Sequence, residues 1–508
     1  MNKLLYILLT GVILVSCSDS FLNLSPEHYP NENTFFKTES HFTQALNGAY
    51  ERLRGVTGVQ GWVVGEMRSD NAHYIRNNTD RGAQFVYREE IADFINDDQN
   101  QWSNEMYYCC YSGISRVNTV LNRIKNKNFS EKFTQSIVGE AKFLRAFYYF
   151  QLVQTFGGVP LYLTEVTGVN DAFLPRASVD EVYTQIMDDV TDAIGKLDAP
   201  QFPQIGKVTQ GSARMLLAKV LLTKPVRDYE NAEKQLRELM KMGYELENVY
   251  ENIYKTSNKN NKESVFEVQY QQGDQGQHSD WLYYFIPRTA NAYVMTGIPD
   301  CSTLAWGGWN TPTQDLIDSF EPNDLRVDVS IAVAAGHNDE NDYFICDEVL
   351  SLNEVAKHSY PVTYYFVNKY RHEHVKIYNT DDNWPIYRYA DVLLLLSECC
   401  LHGGNMSEAL ALVNQVRRRA GLHDLTTISE EDIANERRHE FAFENQRWYD
   451  LVRTGKAIEV MNEYGKKVKK QYPYLQERTY KVTSEKLIFA IPYHEMQINS
   501  QLEQNKGY

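Results

Sequence analysis

The stretch Gly139-Glu-Ala-Lys-Phe-Leu-Arg-Ala-Phe-Tyr-Tyr-Phe-Gln-Leu-Val-Gln-Thr-Phe-Gly-Gly-Val-Pro-Leu161 narrows the fold more than any other part of the chain. Ile137, Ala141, Leu144, Tyr148 and Leu152 recur at helical spacing on one face. Phe143, Phe147 and Phe150 widen that face, so the helix needs packing partners almost all round. Gly157-Gly158 accepts positive φ beyond the last turn and Pro160 cannot prolong the helix, so the chain must turn into Leu161-Tyr162-Leu163. A helix with this much apolar surface belongs inside an all-α stack.

A second pattern shows how such a stack is assembled. Ala213-Arg-Met-Leu-Leu-Ala-Lys-Val-Leu-Leu222 followed by Asp228-Tyr-Glu-Asn-Ala232 reads as two helices joined by a turn and packed through small alanines, as in tetratricopeptide pairs. Ala390-Asp-Val-Leu-Leu-Leu-Leu-Ser-Glu398 followed by Met406-Ser-Glu-Ala409 repeats it. Ala213 and Ala390 stand 177 positions apart, as do Ala232 and Ala409. Length alone allows two or more domains, but a hairpin unit used twice in this way favours one folded unit. Helix starts are also marked. Ser429-Glu-Glu-Asp432 is a capping box, and Thr311-Pro-Thr-Gln314 predicts another start, with Pro312 at the first helical position and Leu316, Ile317 and Phe320 as the buried stripe.

The N-terminus carries Lys3, the apolar run Leu4 to Leu14 and the lipobox Leu14-Val-Ser-Cys17. Residues 1–16 are therefore expected to be a lipoprotein signal peptide and Cys17 the lipidated first residue of the mature chain, with residues 17–30 as a polar tether to the membrane. The chain has 51 Lys and Arg against 67 Asp and Glu, a formal charge of −16. Phosphate backbones repel such a surface, and the short run Lys466-Lys-Val-Lys-Lys470 does not compensate, so nucleic acid is excluded as a partner. Cys109, Cys110, Cys301, Cys346, Cys399 and Cys400 fit no zinc spacing. Adjacent pairs on helices suit buried small hydrophobes, while an exported chain also permits disulfides.

Several motifs occur together in a recognisable order. They are Thr34-Phe-Phe-Lys-Thr-Glu39, Ala45-Leu-Asn-Gly-Ala-Tyr50, the Gly139 helix, Arg176-Ala-Ser-Val-Asp-Glu-Val-Tyr183 and Gly308-Trp-Asn-Thr-Pro-Thr-Gln-Asp-Leu316. Tyr387-Arg-Tyr-Ala-Asp-Val-Leu393, Glu436-Arg-Arg-His-Glu-Phe-Ala-Phe-Glu444, Ile491-Pro-Tyr-His-Glu-Met-Gln-Ile-Asn499 and Gln504-Asn-Lys-Gly-Tyr508 follow. In this set the chain resembles the SusD/RagB family of outer-membrane nutrient-binding lipoproteins. The resemblance implies a tetratricopeptide-like helical scaffold with an inserted, irregular, loop-rich region carrying short strands. Residues 31–508 would then form one domain, with the scaffold at about 31–244 and 384–508 and the insert at about 245–383. It also implies a cell-surface position on the outer membrane and a TonB-dependent, SusC-like transporter as partner.

The residues point to binding rather than catalysis. Glu436, Glu440 and Glu444 line one helical face and in principle offer the acid and base of a glycoside hydrolase, but Arg437, Arg438 and Arg447 lie among them, and a ladder of ion pairs is the simpler arrangement. His372 and His374 would share a face of a strand, with no third metal ligand evident. No catalytic residue, metal or cofactor is assigned. Tyrosine outnumbers phenylalanine, 35 to 22, and seven tryptophans are present. Such rings stack on the C–H faces of sugars, while nearby Asn, Gln, Asp and Arg meet the hydroxyls. The candidate ligand platforms are Trp281, Tyr283, Tyr284 and Trp306 in the insert, after the polar loop Gln271–His278, and Trp62 and Tyr74 around Arg68-Ser-Asp-Asn71. Trp281, Tyr283 and Phe285 alternate as a half-buried strand does, and Trp102 and Trp309 are assigned to packing. The function expected is capture of oligosaccharides or polysaccharides for import. Capture of peptides, glycoside hydrolysis and a scaffold that binds only protein are the alternatives.

Overall fold

The computed structural model describes residues 35–78 and 80–508. The expected signal peptide, the expected tether and Cys17 lie outside these residues. Among the described residues no helix is long and apolar enough to cross a membrane.

Eleven helices of ten or more residues are described, from α1 (Glu39–Thr57), α2 (Ala83–Ala92), α3 (Gln101–Ile124) and α4 (Glu131–Phe156) through α5 (Val179–Lys196), α6 (Gln210–Thr223) and α7 (Tyr229–Met240). The remaining four are α8 (Tyr389–His402), α9 (Met406–Arg419), α10 (Glu430–Glu440) and α11 (Ala457–Gln471). The Gly139 stretch forms α4, which packs against α1, α3 and α5. Its apolar faces are buried on every side. Close approach to α3 depends on Gly113, where a Cβ would stand 2.3 Å from the Tyr148 ring. Gly157 ends the helix at φ 74°, and its N–H bonds to Val153 O at 3.0 Å. The strap that follows is tied down by polar tips, with Tyr111 donating to Pro160 O, Asn118 to Tyr162 O and Arg145 to Leu163 O.

The repeated hairpin is real. The pairs α6–α7 and α8–α9 are the two copies, and α7 packs directly on α8. Asp228 caps α7 and Asn405 caps α9, again 177 positions apart. Arg237 on α7 forks onto both oxygens of Glu408 on α9 at 2.7 and 2.8 Å. The copies can touch because the intervening chain leaves and returns at one place. Strand β2 (Ser264–Val268) pairs antiparallel with β7 (Trp384–Arg388). Elsewhere β1 (Ala72–His73) pairs with β3 (Thr311–Pro312), and β4 (Ile331–Asn338) lies between β5 (Phe344–Leu350) and β6 (Val362–Val367). The result is a tetratricopeptide-like helical scaffold with a loop-rich insert and few short strands.

Three local expectations are corrected. Residues 281–285 form a helical turn, not a strand, because Leu282 is as buried as its neighbours and a short, wholly buried run has no readable period. The Gln314–Ser319 helix starts two residues later than the motif suggests. Thr313 accepts from Leu316 N at 3.1 Å, and Pro312 belongs to β3 opposite Ala72. His372 and His374 lie in a loop, where His372 pairs with Asp382 at 2.5 Å and His374 with the Tyr283 hydroxyl at 2.6 Å. The capping box at Ser429 forms, and the six described cysteines are free thiols.

Candidate functional site

The insert meets the scaffold at an aromatic cluster whose hub is Trp309. Its ring lies 5.5 Å from Trp102, 5.5 Å from Tyr284, 5.8 Å from Trp62 and 6.1 Å from Phe85, mostly edge to face. The buried guanidinium of Arg88 covers it at 4.4 Å. That same guanidinium donates to Ile75 O at 3.0 Å, Gly308 O at 3.3 Å and Gly307 O at 3.4 Å. Burial pushes its pKa down to about 9.

These bonds present Trp306 on a rigid base. Gly308 N bonds to Ile286 O at 2.9 Å and Ile75 N to Gly308 O at 2.8 Å. Gly307 has φ 131°, and a Cβ there would stand 2.5 Å from Ile286 O, so only glycine lets the loop approach so closely. The Trp306 side chain follows at once, backed by Phe85 at 5.8 Å, and is 41% exposed. Tyr284 and Trp102 are half-buried at the same cluster, and Trp102 Nε1 donates to Gln84 O at 3.1 Å. Exposed indole, half-buried rings and nearby polar groups suit the stacking of a sugar face.

The six sequence candidates therefore separate. Trp306 is exposed and Tyr284 half-buried, and Trp309 brings them into one cluster. Trp62 is fully buried against Phe285 at 5.0 Å. Trp281 is buried among Tyr270, Tyr370 and Trp384, and offers no free face. Tyr283 is buried beneath Tyr378, whose ring is exposed 4.4 Å away. Tyr74 is buried with its hydroxyl on Asp93 at 2.9 Å. Large aromatics fill the core because each removes so much apolar area from water, and sequence spacing does not reveal which of them remains at the edge.

Sequence reasoning missed Phe85 and Arg88, which support Trp306 from α2. Both are remote from it in sequence, and the only local signal was the Gly307-Gly308 pair. Also missed was a half-buried ledge of Tyr472 and Tyr474, stacked at 5.5 Å, with Arg76 over Tyr474 at 4.7 Å.

The carboxylates of α10 do another job. Glu440 bonds to Arg388 at 2.8 Å, Arg419 at 2.5 Å and Arg326 at 3.2 Å. Glu444 takes Arg388 and Lys369, each at 2.8 Å, and Glu436 takes Arg326 and Arg417. Burial alone would raise the Glu440 carboxyl, but Arg419, Arg388 and Arg326 hold it well below its ordinary value. The ladder of ion pairs is present, yet its rungs come from elsewhere. Arg437 pairs instead with Asp391 and Asp450, Arg438 with Asp70 and Asp315, and Arg447 with Asp70. A fully buried carboxylate clamped by three arginines neither meets a glycosidic bond nor delivers a proton to it. Among the described residues no group of three or more His, Cys, Asp or Glu side chains is placed to hold a metal ion.

Comparison with known proteins covers nearly the whole chain. A profile described as the SusD family matches residues 262–508, and one described as "Starch-binding associating with outer membrane" matches residues 20–222. The SusD-like protein P38 of Formosa agariphila is 26% identical over 552 aligned positions, covering 100% of both chains. A SusD-like protein of Bacteroides ovatus is 26% identical over 472, covering 89% of this chain and 82% of its own. Among solved structures, a "Laminarin binding SusD-like protein" superposes with a TM-score of 0.75 at 28% identity, over 93% of this chain and 100% of that one.

Proposed function

The chain belongs to the SusD/RagB family, and from that premise we propose that it captures glycans at the outer membrane for import through a TonB-dependent, SusC-like transporter. The observation that carries the glycan reading is Trp306, an exposed indole held on a glycine loop that the scaffold pins from below. One matching profile is described as starch-binding, and a structural relative is described as laminarin-binding. Both are glucose polymers, whose sugar faces stack on indole. Trp306 and Tyr284 are the residues assigned to the ligand.

In this reading residues 1–16 are removed, Cys17 carries the lipid, and residues 17–30 tether one domain, 31–508, to the outer face of the outer membrane. Holding a glycan beside the transporter raises its effective concentration at the pore. The protein binds its cargo and does not cleave it.

Calorimetric titration of the mature protein with laminarin, starch and other polysaccharides tests the reading. Binding of one glycan without release of smaller sugars is expected. Trp306→Ala should weaken it at least tenfold, about 1.4 kcal/mol, with an unchanged thermal midpoint. Binding of peptides alone, or release of sugars from the glycan, overturns it.

A further inference from the structure

A second cavity, of about 240 Å³, lies between α3, the strap after α4 and the C-terminal segment. It shares no residue with the Trp309 cluster. Its walls are the rings of Tyr107, Tyr108, Tyr111 and Tyr162. Tyr107 stands at 90° to Tyr108, and Tyr111 at 83° to Tyr162, with centroids 6.3 and 5.8 Å apart. Tyr107 and Tyr111, 4.7 Å apart and tilted by 50°, join the two pairs, so the rings line the box as one connected wall rather than a stack.

What the box lacks decides its ligand. The Tyr111 hydroxyl donates to Pro160 O at 2.8 Å and that of Tyr162 to Ala172 O at 2.7 Å, so these tyrosines offer ring surface rather than hydroxyls. Both amides at the wall are engaged. Asn118 donates to Tyr162 O and accepts from Arg145, while Asn499 donates to Leu174 O and accepts from Gln501 N. Ser115 and Thr164 add hydroxyls to the wall but no charge, so a sugar, which needs many free donors and acceptors, is served less well than a cation. The remaining charged group is Glu495, which is half-buried and whose carboxylate makes no ion pair or hydrogen bond among the described residues.

We propose that this cavity binds an organic ammonium cation, with the tyrosine faces surrounding the charge and the apolar substituents and the Glu495 carboxylate neutralising it. Ring faces attract cations through the negative face of the π-system, most strongly when the pair is desolvated. Burial raises the Glu495 carboxyl above its ordinary value, and the neighbouring His494 opposes that rise without forming an ion pair with it. Beyond burial, which acts most, the Glu495 charge also raises the hydroxyls of Tyr107, Tyr108 and Tyr162, which places that charge beside these rings. A bound cation relieves the cost of an unpaired carboxylate there. Arg176, a cation that acts on Tyr107 and Tyr111, does not fill this role. It donates to Gly158 O at 2.7 Å, Glu503 O at 2.7 Å and Asn505 at 2.6 Å, outside the cavity lining.

Choline and its uncharged isostere 3,3-dimethylbutan-1-ol test the proposal by titration calorimetry on the mature protein. Saturable binding of choline, at least tenfold tighter than the alcohol, is expected. Glu495→Gln should remove that preference while leaving the thermal midpoint and glycan binding unchanged. Equal binding of the two compounds, no saturable choline binding, or a preference untouched by Glu495→Gln overturns it. Loss of glycan binding in Glu495→Gln also overturns it, by making the cavity part of the glycan site, and Trp306→Ala measured in parallel shows whether the glycan reading itself stands.

Discussion

The charged centre around Glu440 and the aromatic hub around Trp309 are both buried at the junction of scaffold and insert, yet they are held in different ways. In the centre, Arg326, Arg388 and Arg419 reach Glu440 within 3.2 Å, and Glu263 takes Arg388 and Arg419 as well. In the hub, rings meet at 5.0–6.1 Å, and the indole nitrogens of Trp62 and Trp309 have no hydrogen-bond partner among the described residues. Buried charge demands specific partners at short range, so the centre sets the register of β7, α9 and α10. Aromatic packing is less directional and tolerates change at its edge. A rigid charged core beneath an aromatic rim suits a scaffold that carries its candidate ligand surface at the edge.

Breaking the centre should cost most. Glu440→Ala leaves three arginines facing one another without their shared carboxylate, and a loss of about 3–5 kcal/mol or failure to fold is expected. Urea unfolding measures it, and a loss below about 1 kcal/mol would remove the centre's structural role. Trp309→Ala comes next, at the lower end of about 3–5 kcal/mol, because neighbouring rings can partly collapse into the space. It should also weaken glycan binding, since Trp306 and Tyr284 lose their common support. Unchanged affinity in a folded Trp309→Ala protein would separate the hub from the ligand surface.

The smallest effect sharpens the contrast between paired and unpaired carboxyls. Asp93 is buried with the Tyr74 hydroxyl at 2.9 Å and no ion pair, and burial pushes its pKa up to about 8. A raised carboxyl favours the protonated folded form, so its contribution is complete below the unfolded value of about 3.9 and is lost as pH rises towards 8. Asp93→Asn should therefore flatten the fall of the thermal midpoint between pH 4 and pH 8. A variant that follows the parent protein across this range would show that Asp93 does not titrate there.

Much of the scaffold was legible in the chain. The α4 helix, the repeated hairpins and the stop at Gly157 all rest on neighbours within a turn or two. The candidate site was only partly legible. Trp306 and Tyr284 were named, but so were Trp62, Trp281, Tyr283 and Tyr74, which the fold buries. The arginine partners of Glu436, Glu440 and Glu444 were also misjudged, because interleaving in sequence places Arg437 and Arg438 on other faces of the same helix.

The sequence by itself thus determined helix, cap and repeat, because these follow from side-chain spacing along a chain of fixed geometry. Tertiary structure decided which indole meets water, which arginine meets which glutamate and where four tyrosines and one carboxylate line the same cavity. Those outcomes depend on distances between residues from about twenty to hundreds of positions apart in sequence, which no local period encodes.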